Sequence, residues 1–504
     1  MDRFRVLYPS AELTRTQPVL RGRFKKQSIL LRVVLSLLGI IAASMVPALI
    51  MAAAAGETAM IPAFALPMLT AAALALPSFG SLRNKKMNLN GGDGFLLVFV
   101  TWVLASFLGA VPFYLSPAGL NFTDALFESV SAFATTGGTV IADVEVLPRS
   151  LLLWRSCANW FGGMGIVLIS VALMPLLGIG GFQLIKAEAS GPEKEKITPK
   201  IAVTAKLLWL SYSVLTLILC VLYLLGGMTW FDAVCHSLTT VASGGVSRNL
   251  GLAYFDSPFI DGVSTVFMLL VGLNFNLYYY ALQGKFQDIR DNTEARVYLL
   301  IFFAAAGIIT VSLLPVYGSL PAALRHAAYQ TASILSTSGA NITNYETWPG
   351  IARMTIFSLM LIGGCSGSTA GGVKVIRHVV LWKQMSNEIR RARVPSGVFS
   401  IQINKRVGRK DVVYGTAGFV FLYALVVLAA ALITAASGTD VFSSFSAAIS
   451  ITGNIGVGFG AIGPGRTYGG FPDHVKWLYS FVMIAGRLEL WTVLVLFTPA
   501  YWNR

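Results

Sequence analysis

Apolar runs of roughly 20 residues, separated by short polar or basic stretches, recur along the whole chain. Each is long enough to cross about 30 Å of hydrocarbon as a helix. One unit of this pattern appears four times: an apolar span, a shorter helix-like stretch, an element rich in Gly, Thr and Ser, and a second apolar span. An additional hydrophobic pair, from Ile29 to Leu82, precedes the first unit. The pattern predicts an all-α polytopic membrane protein.

The four glycine elements are Ala134 to Thr139, Ala242 to Ser247, Ser336 to Asn341 and Gly453 to Gly458. Each follows a stretch too short to span a membrane. Three of these stretches open with helix-capping residues, at Thr123-Asp124, Thr229 to Asp232 and Thr439-Asp440; the third opens with Pro321, suited to a first helical turn. A short helix that dips into the bilayer and stops points its carbonyl end, the negative end of its macrodipole, at the interior. The returning loop is tolerated at that depth only where it lines an aqueous cavity. There its carbonyls can replace the water around an ion, and glycine permits the backbone angles that turn them inward. The alternative is that the glycines merely allow close helix packing. Four copies at similar spacing favour a selectivity filter, with ion contacts expected from Thr135, Thr136 and Gly137; Ala242, Ser243 and Gly244; Thr337, Ser338 and Gly339; and Asn454, Ile455 and Gly456. In the fourth copy Gly453 competes with Gly456 for the central position, and Gly456 is taken.

Composition narrows the class. With 55% hydrophobic and 12% charged residues, the chain has too little polar surface for water. Its net charge of +15 does not indicate nucleic acid, because the basic residues are not interleaved with aromatics on a polar face. They cluster between apolar runs, at Arg3 to Arg32, at Arg83, Lys85 and Lys86, at Lys186 to Lys206 and at Arg377 to Lys410, which the positive-inside rule places in the cytoplasm. The run from Ile29 to Ala55 is too long for a signal peptide and reads as a retained helix. Cys157, Cys220, Cys235 and Cys365 lie in apolar context without paired or metal-ligand spacing and read as packing residues.

Several local sequences identify a family. Trp160-Phe161-Gly162-Gly163-Met164-Gly165 with Pro175 to Gly181, the run Gly363 to Gly372, and Gly486-Arg487-Leu488-Glu489 together resemble the membrane subunits of Trk-type bacterial potassium uptake systems, related to Ktr and HKT transporters. The resemblance covers about Asn121 to the C-terminus, and the Ile29 to Leu82 pair is similar to the extra N-terminal helices of the Trk branch. It implies four membrane helix, pore helix, filter loop, membrane helix repeats around a pseudo-fourfold pore. Residues 1–90 would form the N-terminal pair with its basic tail, and residues 91–190, 191–290, 291–400 and 401–504 the four repeats. It further implies K+ as the transported ion with no organic cofactor, a homodimer in the bacterial cytoplasmic (inner) membrane with both termini cytoplasmic, and a TrkA-like cytosolic nucleotide-binding ring as regulator. In the family, serine at the first filter glycine is associated with sodium transport; Gly137 here favours potassium. Gly453 and Val457 depart from the asparagine and proline frequent in relatives.

Some intramembrane residues require a reason. An unpaired charge at Arg487 would cost a few kcal/mol. Either it pairs with Glu489 or a helix-end carbonyl, or it stands near the inner pore and repels cations until a gate moves. Glu128, in the first short helix, either supports the filter by hydrogen bonding or binds the ion. Gly363, Gly367 and Gly371, at i, i+4 and i+8, fit a close-packed helix seam. Doubled glycines with Ser366, Ser368 and Thr369 make a weak helix, which fits a broken helix with an intramembrane loop. Gly364, Gly367, Ser368, Thr369, Gly371, Gly372 and Arg487 are the expected gating residues, and Lys374 and Arg377 are expected to meet the cytosol or the regulator.

Two other functional classes fit the sequence less well. An alternating-access carrier would normally show inverted repeats, whereas these run in one direction; a proton- or sodium-coupled symporter of the same fold stays open. An enzyme is disfavoured because His236, His326, His378 and His474 show no metal or triad spacing.

Overall fold

The computed structural model describes residues 16–82, 91–165, 201–245, 251–397, 399–404, 406–407 and 410–502. Pro175 to Gly181, the basic turn at Arg83 to Lys86, and most of the loop from Lys186 to Lys206 therefore lie outside the described residues. Apart from a two-residue antiparallel pair, β1 (Gln402–Ile403) with β2 (Arg406–Val407), the regular structure described is helical.

The N-terminal pair comprises a first span built from α1 (Thr16–Ala43) and α2 (Val46–Ala54) and a second, α3 (Met60–Leu82). Pro47 in the first turn of α2 separates it from α1, because proline lacks the N–H that would continue the ladder. Glu57, in the turn before α3, accepts from the backbone N–H groups of Arg149 and Ser150, tying the pair to the first repeat.

The first helices of the four repeats are α4 (Gly91–Tyr114), α7 (Ile201–Leu225), α12 (Thr293–Tyr317) and α16 (Lys410–Ala436). Together with the spans Leu30–Ala54 and Met60–Ser78 they are the six described helices long and apolar enough to cross a membrane. Their exposed leucines, valines and phenylalanines, such as Leu217, Phe303 and Leu432, suit contact with hydrocarbon rather than water.

The short helices are α5 (Phe122–Phe133), α8 (Trp230–Ala242), α13 (Leu320–Leu335) and α17 (Val441–Thr452), of 12, 13, 16 and 12 residues. At 1.5 Å per residue they reach about 18–24 Å, short of a full crossing. The caps refine the sequence reading. Asn121, rather than Thr123-Asp124, caps α5 by accepting from the Asp124 N–H; Thr229 and Asp440 cap α8 and α17. In α13 the first turn holds Pro321, with no side-chain cap.

The second helices begin at proline each time, with Pro148, Pro349 and Pro472 at the N-cap and Pro258 at the first turn. Fixed φ and an already unneeded N–H make proline a ready starter. Three of these helices are broken within the described residues. The first is α6 (Arg149–Gly163). The second, α9 (Pro258–Val271), turns by 99° into α10 (Asn276–Leu282), and the fourth, α18 (Asp473–Arg487), turns by 113° into the segment Leu490–Phe497. The third is interrupted outright between α14 (Gly350–Leu359) and α15 (Val375–Arg393). Gly363 to Gly372 is thus an irregular loop and not a continuous helix seam.

Candidate functional site

The four short helices end in one shared construction. Thr135, Ser243, Thr337 and Asn454 adopt positive φ of 53°, 58°, 55° and 53°. The following residue donates its N–H five positions back in every copy, Thr136 to Ser131, Gly244 to Thr239, Ser338 to Ser333 and Ile455 to Ser450, at 2.8–2.9 Å. This closes the helix C-terminus as a Schellman turn. Next comes a glycine at positive φ: Gly137, Gly245, Gly339 and Gly456.

The shared construction corrects the second copy by one residue. Gly245, at φ +89°, matches Gly137; Gly244 matches Thr136, Ser338 and Ile455, and Ala242 is the last residue of α8. The doubled glycine made the two registers equivalent in sequence. In the fourth copy Gly453 is an ordinary helix end at φ −83°, and Gly456 carries the turn at φ +85°.

The four turns meet as a ring. A side chain on Gly137 would lie 3.0 Å from the Gly244 carbonyl carbon, and Gly245 donates its N–H to the Ser338 carbonyl at 2.9 Å. A side chain on Gly339 would strike the Ile455 carbonyl oxygen, and one on Gly456 the Thr136 carbonyl oxygen. The carbonyl group of the residue before each glycine therefore lies beside a glycine of an adjacent repeat, and the cycle closes through all four. The carbonyl ends of four helices and the backbone carbonyls of four turns are thus brought together, an environment favourable to a partly dehydrated cation.

Threonine, serine or asparagine stands where a helix end more often has glycine. In three copies the side chain has a task there. Thr337 Oγ1 accepts from the Gly371 N–H at 2.6 Å, Ser243 Oγ meets Thr369 Oγ1 at 3.0 Å, and Asn454 Nδ2 donates to Thr136 Oγ1 at 2.9 Å and the Met483 carbonyl at 3.0 Å. Such contacts hold the left-handed conformation in place.

The glycine-rich loop thus lies directly against the ring, and it is fixed from several sides. Cys365 donates to the Gly272 carbonyl at 2.8 Å, and Gly367 accepts from Phe275 at 3.0 Å, so the loop docks on the bend between α9 and α10. A side chain on Gly371 would run into the Gly453 carbonyl. Arg487, where the fourth second helix bends, donates to the Thr369 carbonyl at 2.5 Å and to the Gly162 and Gly163 carbonyls at 2.9 and 2.7 Å. Three separated sequence signatures, Trp160 to Gly165, Gly363 to Gly372 and Gly486 to Glu489, meet at this one guanidinium. Of the two partners considered for Arg487, the helix-end carbonyls hold it, while Glu489 pairs with Arg377.

Lys374 and Arg377 are corrected too. Both are buried: Lys374 donates to the Ala370 carbonyl, and Arg377 lies 3.6 Å from the Phe419 ring centre besides meeting Glu489. Lys374 braces the loop from within, and Arg377 ties the start of α15 to the fourth repeat.

Glu128 stands behind the first glycine turn, fully buried. It accepts from the Val140 N–H at 2.7 Å, from the Thr139 hydroxyl, and from Arg155 Nε at 3.2 Å. Its oxygens are engaged in holding the strand that leaves the turn.

One participant escaped the sequence reading. Glu294, in the first turn of α12, accepts on Oε1 from the N–H groups of Ser366 at 2.8 Å and Ile376 at 3.0 Å. A glutamate just after the Asn292 cap looks like an ordinary N-terminal acid, so nothing in the sequence linked it to the loop.

Residues 64–504 match the TrkH family model, described as cation transport protein. The chain is 36% identical over 492 residues to the Trk system potassium uptake protein TrkH of Halomonas elongata, covering 94% of this chain and all of that one. It is 38% identical over 428 residues to the Escherichia coli TrkH, covering 84% and 88%. The crystal structure of the potassium transporter TrkH from Vibrio parahaemolyticus superposes with a TM-score of 0.83 at 34% identity, over 94% of this chain and 99% of that one.

Proposed function

The chain belongs to the TrkH family of cation transport proteins, and from that premise we propose that it carries potassium ions into the cell through the ring of four glycine turns. The observation that carries this reading is the closed cycle in which the carbonyl group before each glycine, at Thr136, Gly244, Ser338 and Ile455, faces the adjacent repeat. An ion on the axis exchanges water for backbone oxygens, and the carbonyl ends of α5, α8, α13 and α17 offset its charge. Gly137, Gly245, Gly339 and Gly456 allow four backbones to meet there, since a Cβ at any of them would displace a neighbour's backbone.

The loop Gly364 to Gly372 serves as the gate beneath this filter, with Arg487 holding it shut. Opening exchanges the guanidinium's carbonyl partners for water, and the several donors of arginine suit it to three acceptors at once. The termini lie in the cytoplasm of a bacterium, with the protein in its inner membrane as a homodimer. A soluble nucleotide-binding ring docks on the cytoplasmic face, where Arg390, Arg391 and Arg393 at the end of α15 are exposed.

Potassium and sodium flux into liposomes containing the purified protein, with and without a pH gradient, tests the reading. Potassium flux that is independent of the proton gradient is expected. Flux that requires the gradient would replace the channel with a coupled symporter, and an absence of potassium flux would reject both.

A further inference from the structure

We infer that Glu294 is the anchor that holds the glycine-rich loop in its closed position, a positioning residue for the gate. The inference rests on the gate reading above and adds to it a side chain that binds the loop at both of its ends.

The loop interrupts a helix, so its backbone donors need partners from elsewhere. Most of those named above are backbone groups or neutral side chains. Glu294 is different: a single carboxylate oxygen receives one N–H from inside the loop, at Ser366, and one from the first turn of α15, at Ile376. First-turn N–H groups have no partner within their own helix, and a carboxylate is the acceptor favoured there. The two donors flank the segment that touches the ring, so one side chain sets the distance between its ends.

Glu294 is itself fixed. It is 5% exposed. Its neighbour Thr293 donates its N–H to Asn404 Oδ1 at 2.9 Å and accepts the Asn404 N–H at 3.3 Å. Asn404 forms the turn between β1 and β2, whose Gln402 carbonyl receives Lys383 Nζ from α15. The hairpin, the start of α12 and the end of the loop are therefore linked in series.

A native thiol reports on the loop. Cys365, adjacent to Ser366, is buried, as are Cys157 and Cys235 in other repeats. The test is the alkylation rate of each cysteine, followed by peptide mass spectrometry on the intact protein in liposomes. Glu294→Ala is expected to raise Cys365 labelling and basal potassium flux about tenfold, the scale of one charge-assisted hydrogen bond, with Cys157 and Cys235 still protected. Glu294→Gln keeps an acceptor oxygen and is expected to stay within about twofold of the parent. Where the alanine variant does not fold, Glu294→Asp, which draws the carboxylate back by one methylene, gives the same readout. Unchanged Cys365 labelling, or equal labelling of all three cysteines, overturns the anchor. Deletion of Gly364 to Gly372 separates the two readings: if it leaves flux unchanged, the gate reading fails whatever Cys365 labelling the Glu294 variants show.

Discussion

The guanidinium of Arg487 donates to the carbonyl oxygen of Thr369 at 2.5 Å although the two residues are 118 positions apart. They sit where the second helices of the fourth and third repeats are broken. A charge that would be costly within a bilayer is stabilised by carbonyls at the ends of interrupted helices, and those carbonyls gain a donor. The two irregularities satisfy each other.

Removing that cation should free the loop. Arg487→Gln is predicted to raise basal potassium flux about tenfold, since a hydrogen bond to a charged group contributes roughly 1.5–3 kcal/mol and each 1.4 kcal/mol shifts a population about tenfold. Arg487→Lys should fall between, because one ammonium cannot match the guanidinium's fork of donors. Liposome flux at equal protein content measures both; parental flux in Arg487→Gln would remove the residue from gating.

Glu128 and Arg155 form a buried pair, 0% and 4% exposed. Glu128→Ala takes the carboxylate away from a buried cation, and we predict a loss of roughly 3–5 kcal/mol. Because the same carboxylate holds Thr139 and Val140, discrimination against sodium should decline as well. Thermal unfolding in detergent and the ratio of potassium to sodium flux report the two effects, and a lower melting temperature with unchanged selectivity would confine Glu128 to stability.

The corrected register of the second turn predicts an asymmetry between adjacent glycines. A Cβ on Gly244 would collide with the Asn159 side-chain amide, whereas one on Gly245 would lie 2.8 Å from the Gly137 backbone at φ +89°. Flux lost in Gly244→Ala should return in part when combined with Asn159→Ala. Gly245→Ala should stay inactive in that background, and equal rescue of both would restore the other register.

Charge reversal at Arg390, Arg391 and Arg393 should weaken co-purification with a cytosolic nucleotide-binding partner and its salt resistance, since exposed charges act through a screened field. Stoichiometric retention would leave these arginines with topology alone.

The repeat was legible because hydropathy and glycine recur together, and the polytopic helical fold followed from it. Other features left weaker traces. The prolines Pro148, Pro258, Pro349 and Pro472 start the second helices and are a fourfold signal present in the sequence itself. The register at Gly244-Gly245 was ambiguous because either glycine accepts positive φ; the backbone bond from Gly244 to Thr239 decides it. Lys374 and Arg377 looked cytosolic because they begin a basic stretch, yet their partners at Ala370 and Glu489 come from the loop and the fourth repeat. Contacts of that kind depend on how repeats assemble, and local sequence carries no record of them.

The central claim is that a potassium ion passes through the ring formed by Gly137, Gly245, Gly339 and Gly456. Anomalous diffraction from crystals of the protein grown with rubidium in place of potassium tests it most directly. The account predicts a peak on the axis, bounded by the carbonyl oxygens of Thr136, Gly244, Ser338 and Ile455, that is lost when sodium replaces rubidium. Rubidium bound elsewhere, with the ring empty at saturating concentration, would contradict it.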